Sequence, residues 1–247
     1  MWTRAMLKTN ARAAFKKNYA NVVVVSLIFA FISGAFSTTS VGNRGASSFT
    51  TNNFSKEFIA FATMLLGIII IIGVIGILLT IFVFNPLTVG IHKFFIENHY
   101  SNPKAGSIVW AFKSNYLNIV KTMFLMQVYI FLWSLLLAIP GIIKSYSYRL
   151  VPYILADNPD MDSDDAITLS REMMNGQKFD AFVLDLSFFL WWILSSITFN
   201  IVGILYVFPY IYATDAELYL AIKNGSVDNF TDSFNNNPYN NNGDYYG

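Results

Sequence analysis

The apolar run from Phe58 to Phe84 constrains the fold of this chain more than any other feature, because it contains no charged residue. A helix needs about 20 apolar residues to cross ~30 Å of hydrocarbon, so the run predicts a membrane span with length to spare for tilt. The whole chain agrees, since only 13% of its 247 residues are charged, against roughly 25% in soluble domains. The sequence therefore predicts an all-α fold, a polytopic bundle of transmembrane helices.

The number of spans depends on how two other apolar tracts, 120–157 and 180–221, are divided. If each tract crosses once, the chain has four spans, and the cations between the tracts lie outside the cell, against the positive-inside tendency. If each tract is a hairpin, both tracts are long enough for two spans. The turns are then expected at Pro140-Gly141 and near Asn200, and these cations lie inside.

An internal repeat favours the hairpins. Residues 152–157 (PYILAD) resemble residues 209–215 (PYIYATD), and internal repeats are common in membrane proteins. We therefore predict a transmembrane domain over 19–223 with about six spans and with the N-terminus and C-terminus both cytoplasmic. The expected spans are 19–36, 58–84, 120–139, 141–157, 180–198 and 201–221.

The N-terminal residues 1–18 carry five cations and no acidic residue. Thr3 can cap a helix there, and one apolar face of that helix would contain Leu7, Ala11, Ala14 and Phe15. This pattern predicts a basic amphipathic helix lying on anionic lipids of the inner leaflet, or a charged flank that only orients the first span. The run that follows also resembles the core of a secretory signal, but the rest of the chain is itself rich in apolar spans.

Two polar segments are predicted to lie outside the packed structure. Residues 37–54 are rich in Ser, Thr, Asn and Gly and indicate an external loop. Residues 224–247 contain many Asn and few aliphatic side chains. That tail cannot bury enough apolar surface to fold and is predicted to be disordered.

Two charges inside the predicted spans define the candidate site. Arg149 falls in the fourth span and Asp185 in the fifth, and a charge at such a depth costs about 2.5–3.5 kcal/mol on insertion scales. We expect the two residues to pair or to line a polar cavity together, with Lys144 nearby. Such a cluster is either a substrate or ion site or a buried ion pair that fixes helix register, and Arg149 could also snorkel to the interface.

An acidic cluster precedes a predicted short helix over residues 166–175. Asp160, Asp162 and Asp164 have the alternate spacing of a calcium loop, but Arg171 occupies the position where that loop needs a glutamate. Helix capping explains the acids better, with Asp162 or Ser163 as the N-cap.

The chain contains no pattern typical of an enzyme. It lacks cysteine, so disulfides, a thiol nucleophile and cysteine-bound metals are excluded. Its two histidines, His92 and His99, have only Glu97 as a nearby carboxylate, which falls short of a zinc site. We predict no catalytic residues, no cofactor and no metal.

Three blocks resemble a known family. They are the N-terminal MWTRAMLKTNARAAFKKNYA, the central block from LWSLLLAIPGIIKSYSYRLVPYILADNPDMDSDD to FVLDLSF, and the late PYIYATDAELY. They are similar to the bacterial integral membrane family called domain of unknown function 975, found mainly in Gram-positive bacteria. More loosely, the arrangement looks like the non-catalytic membrane domain of some glycerophosphodiester phosphodiesterases. The resemblance implies a multi-span plasma-membrane protein and supplies no established activity.

The expected function is a non-enzymatic scaffolding, envelope-related or regulatory role. The alternatives are a small transporter that uses Arg149 and Asp185, and a protein that protects the cell against membrane-active peptides. The expected partners are the lipid bilayer and another membrane protein or a second copy, with no nucleic acid. A transporter should have a polar cavity beside these charges, whereas a scaffold should have a packed interior.

Overall fold

The computed structural model describes residues 2–32, 56–198 and 201–235, with side chains over 2–29, 60–198 and 201–225. Every regular element in these ranges is helical, which confirms the all-α prediction. The α-helices are α1 (Arg4–Lys17), α2 (Tyr19–Ile32), α3 (Lys56–Leu79), α4 (Asn85–Tyr100), α5 (Tyr116–Leu136), α6 (Ala138–Ser147), α7 (Val151–Asp157), α8 (Ser163–Met173), α9 (Lys178–Leu186), α10 (Phe189–Ile197) and α11 (Phe208–Asn235). A 3-10 helix spans Ala105–Phe112, and two π-helical turns span Thr80–Phe84 and Gly203–Val207.

Three helical stretches in the described ranges are long and apolar enough to cross a membrane: Ala60–Tyr100, Tyr116–Leu136 and Lys178–Ile197. They are fewer than the six predicted spans. Predicted span 141–157 consists of α6 and α7 with a break between them, so it contains no single helix long enough to cross. Helix length and composition alone therefore support three spans.

The two parts of the stretch Ala60–Tyr100 have different surroundings. Its α3 part packs against almost nothing, and large apolar side chains such as Ile69 and Ile72 are more than 60% exposed. Its α4 part is buried among α1, α7 and α11, where Phe94 is fully covered. Because water disfavours so large an apolar surface, α3 suits contact with lipid, while α4 forms the centre of the protein core.

The N-terminal helix α1 forms as predicted, but its apolar face lies against protein. The Thr3 side chain caps it by accepting a hydrogen bond from the Met6 backbone N–H. The predicted face is buried, comprising Leu7, Ala11, Ala14 and Phe15, and α1 packs along α11. The cation Lys8 lies over the Phe188 ring at 4.3 Å, so one basic side chain also contacts protein.

The predicted hinge at Pro140-Gly141 is wrong by a few residues. The first hairpin turns at Leu137, and α6 begins at Ala138, so Pro140 lies in the first turn of α6. A first-turn N–H has no intrahelical acceptor, and proline is therefore tolerated there. Gly141 allows α6 to approach α5 closely, because a Cβ at this position would lie 2.8 Å from the Ser134 Cα.

Prolines account for both π-helical turns. Pro86 and Pro209 lack the N–H that would bond the carbonyl four residues earlier, which belongs to Phe82 and Leu205 respectively. Tyrosine hydroxyls donate to these two freed carbonyls: Tyr116 to Phe82 at 2.7 Å and Tyr19 to Leu205 at 3.3 Å. The helices widen before each proline and then continue.

The predicted disordered tail begins as helix. Helix α11 continues past Asn224 to Asn235, extending from the buried apolar part that contains Leu218 and Ile222. The remaining predicted tail, the external loop over 37–54, and the turn near Asn200 lie outside the described residues.

Candidate functional site

Arg149 lies in the break between α6 and α7, where the backbone makes a turn over residues 148–150. Pro152 in the first turn of α7 helps to produce this break, because it cannot donate an intrahelical hydrogen bond. Ser170 of α8 bridges the gap. Its hydroxyl donates to the Ser147 carbonyl at 2.9 Å and accepts from the Leu150 backbone N–H at 3.2 Å. A helix outside the hairpin therefore holds the Arg149 turn in place.

The Arg149 guanidinium contacts two carboxylates from different helices. It pairs with both oxygens of Asp185 in α9, through Nη1 at 2.8 Å and Nη2 at 2.9 Å. Its Nη2 also donates to Asp215 of α11 at 2.7 Å. Forked contacts of this kind are the strong form of Arg–carboxylate pairing. The cluster therefore joins three helical segments that are far apart in the sequence.

The three side chains of the cluster are partly buried. The Arg149 and Asp215 side chains are each 18% exposed, and Asp185 is 37% exposed. The Tyr146 hydroxyl donates to Asp185 at 2.8 Å, which adds a second donor to that carboxylate. With two carboxylates against one guanidinium, the cluster has a formal charge of −1. Such an arrangement can fasten helices together, and among the described residues its two carboxylates share one cation.

Sequence analysis missed Asp215. It appeared only as the last residue of the repeated segment 209–215. The repeat contained a signal, because Asp157 and Asp215 both follow a Pro-Tyr-Ile segment. The two carboxylates have separate partners, since Asp157 accepts from Tyr219 and from Lys223, each at 2.6 Å.

Lys144 does not join the cluster, contrary to the predicted site. Its ammonium lies over the Trp133 ring at 4.5 Å, on the side of α6 that faces α5. The six residues from Lys144 to Arg149 include the end of α6 and the start of the break, so the two side chains contact different neighbours. Lys144 instead lines a cavity between α5, α6 and α8.

The histidines have separate surroundings. His92 is buried and lies against the Tyr153 ring, with centroids 4.2 Å apart. His99 contacts the buried Glu217 of α11, with Nδ1 and Oε1 2.6 Å apart. Each histidine therefore takes part in packing or pairing between α4 and its neighbours.

The sequence of the chain matches a known protein family. A family model described as "Protein of unknown function (DUF975)" matches residues 24–226, well over half of the chain. The chain belongs to the DUF975 family. This confirms the resemblance seen in the sequence, although the match begins after the N-terminal block of residues 1–20. Arg149, Asp185 and Asp215 all lie within the matched region. No curated protein and no solved structure matches the chain.

In this DUF975 protein the acidic cluster caps a helix. The Asp162 carboxylate accepts from the Asp164 backbone N–H at 3.1 Å, which confirms Asp162 as the N-cap of α8. That N–H contact holds the pKa of Asp162 below its usual value. Asp160 accepts from the Asn115 side chain at 3.0 Å. Within the described ranges, no group of three or more histidine or acidic side chains is placed to hold a metal ion.

Proposed function

We propose that this DUF975 member is a multi-pass protein of the bacterial cell membrane that works as a non-enzymatic scaffold. Three sufficiently long apolar helices support membrane insertion. The proposed topology has about six spans, with both termini cytoplasmic and with the broken α6–α7 segment crossing as one unit. A break inside a span is tolerated where its backbone groups are bonded within the protein, as they are through Ser170.

The observation that carries the scaffold role is the engagement of Arg149 by both carboxylates. Its two terminal nitrogens each donate to Asp185, and one also donates to Asp215. A substrate site would need donors or acceptors that are free to bind a ligand, whereas this guanidinium is used in joining α9, α11 and the α6–α7 break. The internal geometry therefore favours a rigid framework over a binding site.

A scaffold also needs a surface for partners, and α8 offers one. Its buried side consists of Ser163, Ala166, Ile167 and Ser170. Asp165 and Glu172 are exposed and two turns apart, so they lie on one outward face. We propose that this polar face contacts another membrane-associated protein or a second copy of the chain.

Site-specific photo-crosslinking tests the scaffold role. A photoreactive residue at Asp165 or Glu172 of the full chain, in bacterial membranes, should give protein adducts of discrete mass. The same residue at Ile69 is the matched control, because this side chain is exposed on α3 and should give mainly lipid adducts. Absence of protein adducts at both α8 positions would contradict the proposal.

A small transporter is the second candidate, and the excess carboxylate favours it. One guanidinium faces two carboxylates, so a proton or a cation could balance the remaining charge during a transport cycle. Flux of protons or monovalent cations into proteoliposomes tests this. Flux that disappears in Asp185→Asn while the protein stays folded would favour transport over the scaffold.

A further inference from the structure

A cavity of about 290 Å³ lies between α5, α6 and α8, away from the Arg149 cluster. Its walls combine aromatic, basic and acidic side chains, including Tyr129, Trp133, Lys144, Asp164, Thr168 and Arg171. The two aromatic residues come from α5 and Lys144 from α6, whereas Arg171 and Asp164 lie on one face of α8. Three separate helices therefore build one pocket.

The charge of this pocket is positive. Lys144 and Arg171 line it together with one carboxylate, that of Asp164, which leaves a formal net charge of +1. Within the described side chains, neither cation forms an ion pair with a carboxylate. Lys144 contacts the Trp133 ring instead. The pocket thus has two cations whose charge is not balanced by a paired carboxylate.

The pocket adjoins a surface suited to lipid chains. Next to it, the α5–α6 hairpin exposes Leu136, Leu137 and Ile139, each about 70% accessible. Trp133 and Tyr129 line the pocket, and aromatic residues of this kind are enriched where the membrane meets water. Basic pockets between helices at that level bind the headgroups of anionic lipids.

We propose that this cavity binds the headgroup of an anionic phospholipid of the phosphatidylglycerol type. Lys144 and Arg171 contact its phosphate oxygens, and its acyl chains lie on the exposed α5–α6 hairpin. Asp164 accepts a hydrogen bond from a headgroup hydroxyl, which a choline headgroup cannot supply. The single negative charge of the lipid matches the net +1 of the pocket. The site differs from the expected lipid contact at the basic helix α1.

Native mass spectrometry of the full chain in neutral detergent tests this site with three probes: dioctanoyl phosphatidylglycerol, dioctanoyl phosphatidylcholine and inorganic phosphate. The wild type should bind phosphatidylglycerol most tightly. Lys144→Gln with Arg171→Gln should raise the Kd for this lipid about thirtyfold. Each cation near the surface contributes about a fivefold change in Kd, and the two contributions multiply. Lys113→Gln with Lys178→Gln removes the same charge elsewhere and should leave the affinity unchanged.

A second variant removes the space and keeps both cations. Thr168→Trp fills the cavity from the exposed face of α8 and should also abolish tight phosphatidylglycerol binding. The proposal is overturned if the control pair weakens phosphatidylglycerol binding as much as the Lys144 and Arg171 changes do. It is also overturned if phosphatidylcholine or inorganic phosphate binds the wild type as tightly as phosphatidylglycerol does. It is also overturned if Thr168→Trp, eluting as a monodisperse peak, binds the lipid like the wild type.

This inference rests on the proposed insertion in a membrane but not on the scaffold role or on the count of six spans, since it requires only that the pocket lie at the membrane surface on the side of α8. Membrane fractionation of the wild type separates the two failures. If the chain is absent from membranes, the proposed function fails. If it is in membranes and the binding results are negative, only the lipid site fails.

Discussion

Replacing Arg149 by Gln should be among the most damaging single changes in this protein. It removes the cation that contacts both Asp185 and Asp215, and among the described side chains it leaves two carboxylates close together with no opposite charge between them. Removing one partner of a buried ion pair costs about 3–5 kcal/mol. The Arg149 site fits that range because its own side chain and that of Asp215 are each only 18% exposed.

The two carboxylates should matter less individually. Asp185→Asn should cost about 1–2 kcal/mol, since Arg149 keeps its bond to Asp215 and since Asp185, at 37% exposure, is partly solvated already. Asp215→Asn should cost more than Asp185→Asn, because Asp215 is better buried. The triple variant carrying all three changes contains no unpaired charge and should therefore be more stable than Arg149→Gln alone.

The assay is thermal unfolding of the detergent-solubilised chain, followed by the loss of the monodisperse peak in size-exclusion chromatography. The melting temperature should be lowest for Arg149→Gln and should rise again in the triple variant. Lys113→Gln, which changes an exposed cation, serves as control and should match the wild type. If the triple variant loses as much stability as the three single changes summed, the residues are not coupled and the reasoning is refuted.

Other perturbations address the helices around the cluster. Gly141→Ala should destabilise the α5–α6 hairpin by about 1–3 kcal/mol in the same thermal assay, whereas Gly73→Ala, which has open space around it, should not destabilise; equal effects would contradict the close approach. Tyr116→Phe should cost about 1 kcal/mol, because the Phe82 carbonyl loses its donor; an unchanged melting temperature would show that another group bonds that carbonyl. Asp162→Ala should speed hydrogen exchange of the first amides of α8, and Asp162→Asn should preserve them; equal exchange in both would contradict the cap. Since the pKa of Asp162 is lowered by folding, its stabilisation is present above the unfolded-state pKa and is lost as the pH falls through the folded-state value, and Asp162→Asn should remove this acid dependence from thermal unfolding.

Local patterns predicted two helix caps and one buried helix face well, although the predicted helix 166–175 begins three residues earlier, at Ser163. The Thr3 cap, the buried face of α1 and the Asp162 cap could be read from the sequence because capping and 3.6-residue periodicity act over a few neighbouring residues. What covers the α1 face could not be read in this way. An apolar face fits lipid and protein equally well, and only the fold shows that α11 covers it.

The candidate site was predictable in part. Arg149 and Asp185 stood out because charges in apolar tracts need partners, and the structure brings them together. Asp215 did not stand out because it lies near the end of the predicted span 201–221, not near its middle. Lys144 was placed near the cluster by its proximity to Arg149 in sequence, but the break in the helix changes the direction of the chain between them.

The residue at which the α5–α6 hairpin turns could not be predicted for a different reason. Pro140-Gly141 is a typical turn dipeptide, but proline is equally compatible with the first turn of a helix. The choice between these positions depends on how closely α6 packs against α5, which requires Gly141 inside the helix. Sequence patterns identified the hairpin, and packing determined the residue at which it turns.

The side of the membrane on which α8 lies distinguishes six spans from four. The native chain has no cysteine, so single cysteines can be labelled without background. Lys113→Cys and Asp165→Cys, both at exposed positions, should resist a membrane-impermeant maleimide in intact cells and react once the cells are permeabilised. Labelling of Asp165→Cys in intact cells, with Lys113→Cys still protected, would place α8 outside and contradict the six-span topology.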